Sequence, residues 1–134
     1  TERVLAGLLD GEAVAYPFPA LMEAVVINDT IGTLDVVALW QPGATSALDQ
    51  SSIDGSRDVG MAALFNRELD GQVLTFSVDD AGVIRDDQTG SAWNVFGTAT
   101  DGPLAGSQLR QELAFPHFWF AWAAFQPDTR LYGQ

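Results

Sequence analysis

The sequence predicts a mainly β single domain, either a barrel or a two-sheet sandwich of short antiparallel strands, with one aromatic helix near the C-terminus. Three observations predict it. Short β-branched or alternating apolar runs are separated by clusters of Gly, Asp and Asn that form turns. The 134 residues, 47% of them hydrophobic, suffice for one domain with its own core. Aromatic residues recur at helical spacing only late in the chain.

The first predicted element pair is a hairpin. A β-branched run at residues 25–27 ends in a turn-forming cluster at residues 28–33, and residues 34–40 return as the second strand. After Gln41, a stretch rich in Gly, Ser and Asp is expected to be an exposed loop. The composition of residues 61–69 by itself leans towards helix.

A meander is predicted in the middle of the chain. Asp70–Gly71 is a hairpin-turn signal, because Gly accepts positive φ without steric cost. Residues 73–78 alternate as a half-buried strand does. Turns at residues 79–82 and 87–90 then reverse the chain twice and give three strands.

The last third of the chain is predicted as a loop over residues 100–106, a final strand over residues 107–113, and a helix over residues 118–125. Pro127 ends the helix, because the residue before a proline disfavours the α region. The helix is apolar on nearly every side, so we expect it to be buried. Large aromatic side chains are dominant core material, which favours a core helix over a ligand-stacking platform.

The charge balance restricts the classes of partner. The chain has 18 acidic residues, six arginines and no lysine, for a net charge of −12. We therefore expect neither nucleic acid nor an anionic membrane as a partner, since both require basic patches. With no cysteine, disulfides, thiolate metal sites and thiol nucleophiles are excluded. No apolar run approaches the ~20 residues of a membrane-spanning helix, and the first residues lack the pattern of a signal peptide.

Several long motifs occur in a fixed order: AYPFPALMEAVVINDTIGTLDVVALWQPG, SALD, RDVG, LDGQVLTF, DDQTGSAWNVFGTATDGPLAG and FWFAWAAFQPDT. Together, over residues 15–131, they resemble the domain of unknown function 3179 of bacteria and archaea. The resemblance implies a β-rich domain with a strand at residues 61–69. It also implies an extracytoplasmic location, secreted or membrane-anchored through a removed or absent N-terminal segment. It implies no established activity.

The chain departs from many members of that family at one place. They carry a Cys-Pro-Leu-Cys-like element after the early strand, where this sequence has WQPGATSALD at residues 40–49. It thus resembles a cysteine-free branch with a SALD loop. A thiol, redox or thiolate-metal role inferred for the cysteine-bearing branch does not carry over.

No catalytic constellation is recognisable from spacing. His117 is the one histidine, which excludes sites with several histidine ligands, and no GxSxG motif supports a serine triad. We expect His117 to cap the aromatic helix or to hydrogen-bond near its start. An alternative hypothesis is a hydrolase-like enzyme of unfamiliar type that uses Asp49, Asp87 or His117 as acid or base in a cleft near Trp93.

Four aspartates surround one predicted hairpin: Asp79, Asp80, Asp86 and Asp87. Their oxygens could bind a calcium ion. The EF-hand spacing is absent, because Ala81 stands where the motif needs its second ligand. Asx-turn chemistry at both hairpin ends accounts for the same residues, so the sequence indicates no cofactor and assigns no metal site.

Short polar residues inside the family motifs form the candidate ligand site: Asn28, Asp29, Ser46, Thr89, Ser91 and Trp93. Loops on a rigid scaffold commonly carry function, although turn chemistry explains several of these positions equally well. The preferred function is an extracytoplasmic binding or accessory module with a protein partner or a small ligand. The alternatives are the enzyme above and a homo-oligomeric or filament-forming domain, if part of FWFAWAAF is exposed.

Overall fold

Four sheets and two short helices form the fold in the computed structural model, which describes residues 2–42 and 60–133. Over these residues the elements are β1 (Arg3–Leu9), β2 (Glu12–Pro17), α1 (Phe18–Ala24), β3 (Val26–Ile31), β4 (Leu34–Gln41), β5 (Met61–Asn66), β6 (Glu68–Leu69), β7 (Gln72–Val73), β8 (Phe76–Val78), β9 (Ile84–Asp86), β10 (Ala92–Trp93), β11 (Ala99–Asp101), β12 (Ala114–Phe118), α2 (Trp119–Phe125) and β13 (Arg130–Leu131). The prediction of a mainly β chain is confirmed.

The first sheet has the strand order β12-β1-β2-β13. Strands β1 and β2 form an antiparallel hairpin that turns at Asp10 and Gly11, where both residues have the positive φ that a two-residue turn needs. Neither this hairpin nor α1 was predicted from the sequence. The strands on either side of the β1–β2 hairpin, β12 and β13, come from the C-terminal part of the sequence. Strand β13 lies parallel to β2.

The central sheet has the order β3-β4-β5 and is covered on both faces. Along β4, Val36, Ala38 and Trp40 pack towards the first sheet and α1, whereas Val37 and Leu39 pack towards the meander. Burial on both faces explains why the strand is an almost continuous apolar run. The first strand of the predicted hairpin extends to Ile31, so the turn is shorter than the six residues expected.

The third sheet is the predicted meander, with the strand order β11-β10-β9-β8. The two turns predicted at residues 79–82 and 87–90 are confirmed, because they join β8 to β9 and β9 to β10. The strand predicted over residues 73–78 is broken at Leu74 and Thr75. The Leu74 N–H donates to Arg67 O, and the Leu74 carbonyl oxygen accepts from the Arg67 guanidinium. The Thr75 N–H donates to the Gln88 side chain. The Asp70–Gly71 turn joins β6 and β7, and residues 107–113 make only two isolated bridges instead of a strand.

The sheets stack in layers, and no closed barrel forms within residues 2–42 and 60–133. Helix α2 lies outside this stack, with Trp119 and Trp122 against Val4 and Ala6 on the outer face of the first sheet. The prediction that the aromatic helix is buried is therefore wrong, since none of its residues is buried. The segment after α2 returns to the edge of the same sheet as β13.

Candidate functional site

A cavity of about 410 Å³ opens between the end of the central sheet and the meander. Its walls combine aliphatic and indole side chains with two amides, and none of its described residues is charged. The described lining residues are Val25, Trp40, Gln41, Pro42, Val78, Gly82, Val83, Ile84, Trp93, Asn94 and Val95. A few polar groups in an otherwise apolar concavity of this size are typical of small-molecule sites.

The two tryptophans that line the cavity are held in place by neighbouring side chains. The Trp93 Nε1 donates to Asp86 Oδ1 at 2.8 Å, and its ring packs edge-on against Phe76 at 5.4 Å between centroids. Trp40 packs edge-on against Phe18 at 5.0 Å. A side chain at Gly60 would collide with the Trp40 ring, so that glycine is needed for the close approach.

Val25, at the C-terminal end of α1, is in a strained backbone conformation, with φ 64° and ψ −39°. A β-branched residue at positive φ is an outlier that costs about 1–3 kcal/mol. Two hydrogen bonds maintain it, one from the Val25 N–H to Leu21 O at 2.7 Å and one from the Trp40 N–H to Val25 O at 2.9 Å. Such strain is typical of functional sites, and here it occurs in the cavity wall.

The second notable feature is an exposed group of apolar side chains, which we name the aromatic face: Phe115 and Phe118 of β12, Phe120 and Phe125 of α2, and Leu8 of β1. Phe120 is 68% exposed and Phe125 is 84% exposed. Phe125, Leu8, His117 and Trp122 also border a groove of about 330 Å³. Neither helix within residues 2–42 and 60–133 has the length and apolar content needed to cross a membrane.

The profile of the family DUF3179, described as a protein of unknown function, matches residues 1–129. The chain belongs to the DUF3179 family. This confirms the resemblance inferred from the motifs, which spans nearly the same residues. No curated protein and no solved structure matches the chain.

Three of the predicted ligand-site residues of this DUF3179 domain meet around the buried Asp86. The Thr89 N–H and Oγ1 donate to Asp86 Oδ2 at 2.6 and 2.8 Å, and Trp93 donates to Oδ1. The Ser91 Oγ lies 2.6 Å from Thr89 Oγ1 and accepts a hydrogen bond from the Leu104 N–H. Thr89 and Ser91 therefore bind each other and the hairpin, and only Trp93 of the three lines the cavity.

The Asp86 carboxyl is buried yet ionised. Burial by itself would raise its pKa, but the hydrogen bonds from Trp93 and from the Thr89 backbone and hydroxyl outweigh this effect. They hold the pKa of Asp86 below its usual value of 3.8. The carboxylate thus fixes the orientation of the indole at the cavity wall.

The other predicted ligand-site residues lie elsewhere. The Asn28 side chain donates to Phe76 O at 2.8 Å and accepts from the Phe76 N–H at 2.9 Å, so it connects β3 to β8 as a strand neighbour would. Asp29 Oδ2 accepts from the Tyr16 hydroxyl at 2.7 Å and from Arg130 Nη2 at 3.2 Å. Ser46 is outside the described residues.

The structure separates the two described candidates for acid–base chemistry in the DUF3179 domain. Asp87 accepts hydrogen bonds from the hydroxyls of Thr75 and Ser77, both at 2.7 Å, at the edge of the meander. His117 lies on β12 in the first sheet, with its ring 4.9 Å from that of Trp122. It does not cap α2, whose first turn has no side-chain cap. Neither residue lines the cavity beside Trp93, and Asp49 is outside the described residues.

The four aspartates proposed for calcium point in different directions. Asp79 Oδ1 accepts from the N–H groups of Ala81 and Val83, both at 2.9 Å, and its Oδ2 accepts from Arg85 Nε at 2.8 Å. Asp86 turns inward, whereas Asp80 is exposed. Within residues 2–42 and 60–133, no three acidic or histidine side chains could hold a metal ion. Hydrogen bonding within the turn accounts for Asp79 and Asp86.

Sequence reasoning anticipated a cleft near Trp93 but missed most of its wall. Val25, Trp40, Val83 and Val95 have the pattern of ordinary core residues, because periodicity does not distinguish a packed neighbour from an open space. It also missed the Tyr16–Asp29–Arg130 cluster. Asp29 and Arg130 are 101 positions apart in the sequence, and no local motif signals such a contact.

Proposed function

We propose that this DUF3179 domain is a non-catalytic binding module that docks onto a partner protein through its aromatic face. The exposure of Phe120 and Phe125 is the observation that carries the proposal. Exposed aromatic side chains are enriched in protein interfaces and are costly to leave in water. Such rings supply much of the binding energy where they are buried on association.

The distribution of charge supports the same surface. Residues 114–127 contain no Asp, Glu, Lys or Arg, although the chain as a whole has a net charge of −12. A partner can therefore cover the face without burying an unpaired carboxylate, which would be costly. The acidic surroundings favour a partner whose apolar patch is bordered by basic side chains, because opposite charges accelerate association.

The test compares the double variant Phe120→Ser, Phe125→Ser with Phe96→Ser, which removes a phenylalanine that is also mostly exposed but lies in the meander. Proteins captured from the native host by the wild-type domain are identified, purified and titrated against all three forms. We expect the double variant to lose at least about tenfold in affinity, which corresponds to ~1.4 kcal/mol, and Phe96→Ser to bind normally. A partner that binds the double variant as tightly as the wild type contradicts the proposal.

A second copy of the chain is the other candidate partner, and the exposure of Phe120 and Phe125 favours it too. The net charge of −12 opposes self-association at long range. Dimerisation should therefore strengthen as added salt screens the repulsion. Sedimentation velocity at low and high salt measures this directly. A dimer that is dissociated by Phe125→Ser would show that the domain self-associates through the aromatic face. A monomer at every salt concentration would exclude self-association.

We extend the proposal to the compartment, and infer that the domain works outside the cytoplasm. The family resemblance supports this, because related domains are usually exported or membrane-anchored. Cell fractionation with an antibody against the domain, applied to the native host, is the corresponding experiment. Recovery with cytoplasmic marker proteins would refute the inference and would leave the role of the aromatic face untouched.

A further inference from the structure

We propose that the cavity between Trp40 and Trp93 is a second, separate binding site, for an uncharged and largely apolar small molecule. Its volume of about 410 Å³ is within the range of roughly 300–1,000 Å³ found for ligand pockets. An apolar cavity of about 150 Å³ accommodates benzene, so this one has room for about two such rings.

The chemistry of the lining indicates the class of ligand. The described walls are mainly valine, isoleucine, proline and indole side chains, and the polar side chains among them are the amides of Gln41 and Asn94. Against these described walls, a carboxylate, phosphate or ammonium group would lose hydration without gaining an opposite charge. The site therefore discriminates against charged molecules, even though the chain is rich in carboxylates.

Asn94 indicates one polar feature of the ligand. Its Oδ1 accepts from the N–H groups of Phe96 and Thr98, at 3.0 and 3.1 Å, in the turn after β10. These bonds fix the orientation of the amide. Nδ2 is then the atom of the Asn94 side chain that can donate a hydrogen bond to a ligand. A carbonyl, ether or hydroxyl oxygen on an otherwise apolar molecule matches such a donor.

The walls are pre-organised, which distinguishes the site from a gap that closes on its own. Trp93 is fixed by Asp86 and Phe76, and Trp40 by Phe18. Val25 is held in its strained conformation at the same wall. Because its walls are already fixed, the cavity loses little free energy to reorganisation when a ligand binds. None of the residues of the aromatic face lines this cavity, so the two proposals rest on different residues.

The four tryptophans make the test specific, because two line the cavity and two, Trp119 and Trp122, are on α2. The probe is N-phenyl-1-naphthylamine, which is uncharged, followed through the indole N–H signals in ¹⁵N-labelled wild-type protein. We expect saturable shifts of the Trp40 and Trp93 signals. Shifts confined to Trp119 and Trp122 would assign the probe to the aromatic face and overturn the inference, as would the absence of binding.

Substitution and charge provide two further comparisons. Val83→Phe fills the cavity from the half-buried Val83, and Val73→Phe makes the same change at an exposed position outside it. We expect Val83→Phe to weaken binding at least tenfold and Val73→Phe to leave it unchanged. The anionic relative 1-anilinonaphthalene-8-sulfonate should bind at least tenfold more weakly than the uncharged probe. Equal binding of both probes, or normal binding by a folded Val83→Phe protein, contradicts the inference.

Discussion

Arg67 and Asp86 carry their charges into the interior of the domain, and each is surrounded by matching groups. The Arg67 guanidinium donates to the carbonyl oxygens of Val36, Leu74 and Asp29 at 2.7–3.0 Å. Within residues 2–42 and 60–133, every buried side-chain nitrogen and oxygen has a hydrogen-bond partner. Several polar residues that were predicted from the sequence to bind a ligand thus stabilise the fold instead. The described walls of the cavity are mainly apolar.

Asp86→Asn tests the buried carboxylate. The amide replaces an acceptor with a donor that faces the donors of Thr89 and Trp93, so we expect the free energy of unfolding to fall by about 2–4 kcal/mol at neutral pH. Because the folded-state pKa of Asp86 is depressed, its contribution is present above the unfolded pKa of ~3.9 and is lost as the pH falls through the folded value. Urea unfolding at neutral and acidic pH should therefore show less acid destabilisation in the variant.

The matched control is Asp80→Asn, an exposed position on the same hairpin. It should change the free energy of unfolding by less than about 0.5 kcal/mol. Equal effects of the two substitutions would contradict the assigned role of Asp86.

Within the elements, the strained end of α1 offers a comparison between neighbouring residues. Val25 and Val26 are both half-buried against the same core cluster, but only Val25 has positive φ. Glycine at position 25 relieves the backbone strain, because glycine adopts positive φ readily. At position 26 it relieves no strain and only adds the conformational entropy that folding must remove. We expect Val25→Gly to be less destabilising than Val26→Gly by about 1–3 kcal/mol. Thermal and urea unfolding measure the difference, and an equal or larger loss for Val25→Gly would show that the conformation is not strained.

The elements that sequence reasoning predicted correctly are those that a local signal specifies. Asp70–Gly71 and the clusters around Asp79 and Gly90 have the turn chemistry that hairpins require, and the turns form there. Helix α2 was also predicted, and it ends before Pro127. Its exposure was not, since an apolar periodicity shows which residues share a face and not which surface covers that face.

At the scale of the whole molecule, one polar cluster joins the first sheet to the central sheet. Tyr16 of β2, Asp29 of β3 and Arg130 of β13 meet there, and Arg130 Nε also donates to Glu12 at 3.1 Å. Burial, together with the bond to the Asp29 carboxylate, raises the pKa of Tyr16 well above its usual value. None of this was predictable from the sequence, because the partners are far apart along the chain.

Tyr16 makes stability sensitive to alkali. A group whose folded pKa is raised contributes stability below its unfolded pKa of about 10, and that contribution is lost as the pH rises beyond it. We expect the free energy of unfolding to decline between about pH 9 and about pH 11, and Tyr16→Phe to reduce that decline. Tyr132→Phe, in the other tyrosine of the chain, is the control. A decline that Tyr16→Phe leaves unchanged would show that other groups cause it.

The first sheet has a consequence for the order of assembly during translation. Strands β1 and β2 leave the ribosome before the other strands of the described fold, whereas β12 and β13, which complete their sheet, follow long after them. Glu12 can form its ion pair with Arg130 only after a further 118 residues have been synthesised. A two-stranded hairpin is marginal in water by itself, so we expect β1 and β2 to lack a stable sheet until β12 has been synthesised. The first sheet is complete only after Arg130–Leu131 have emerged.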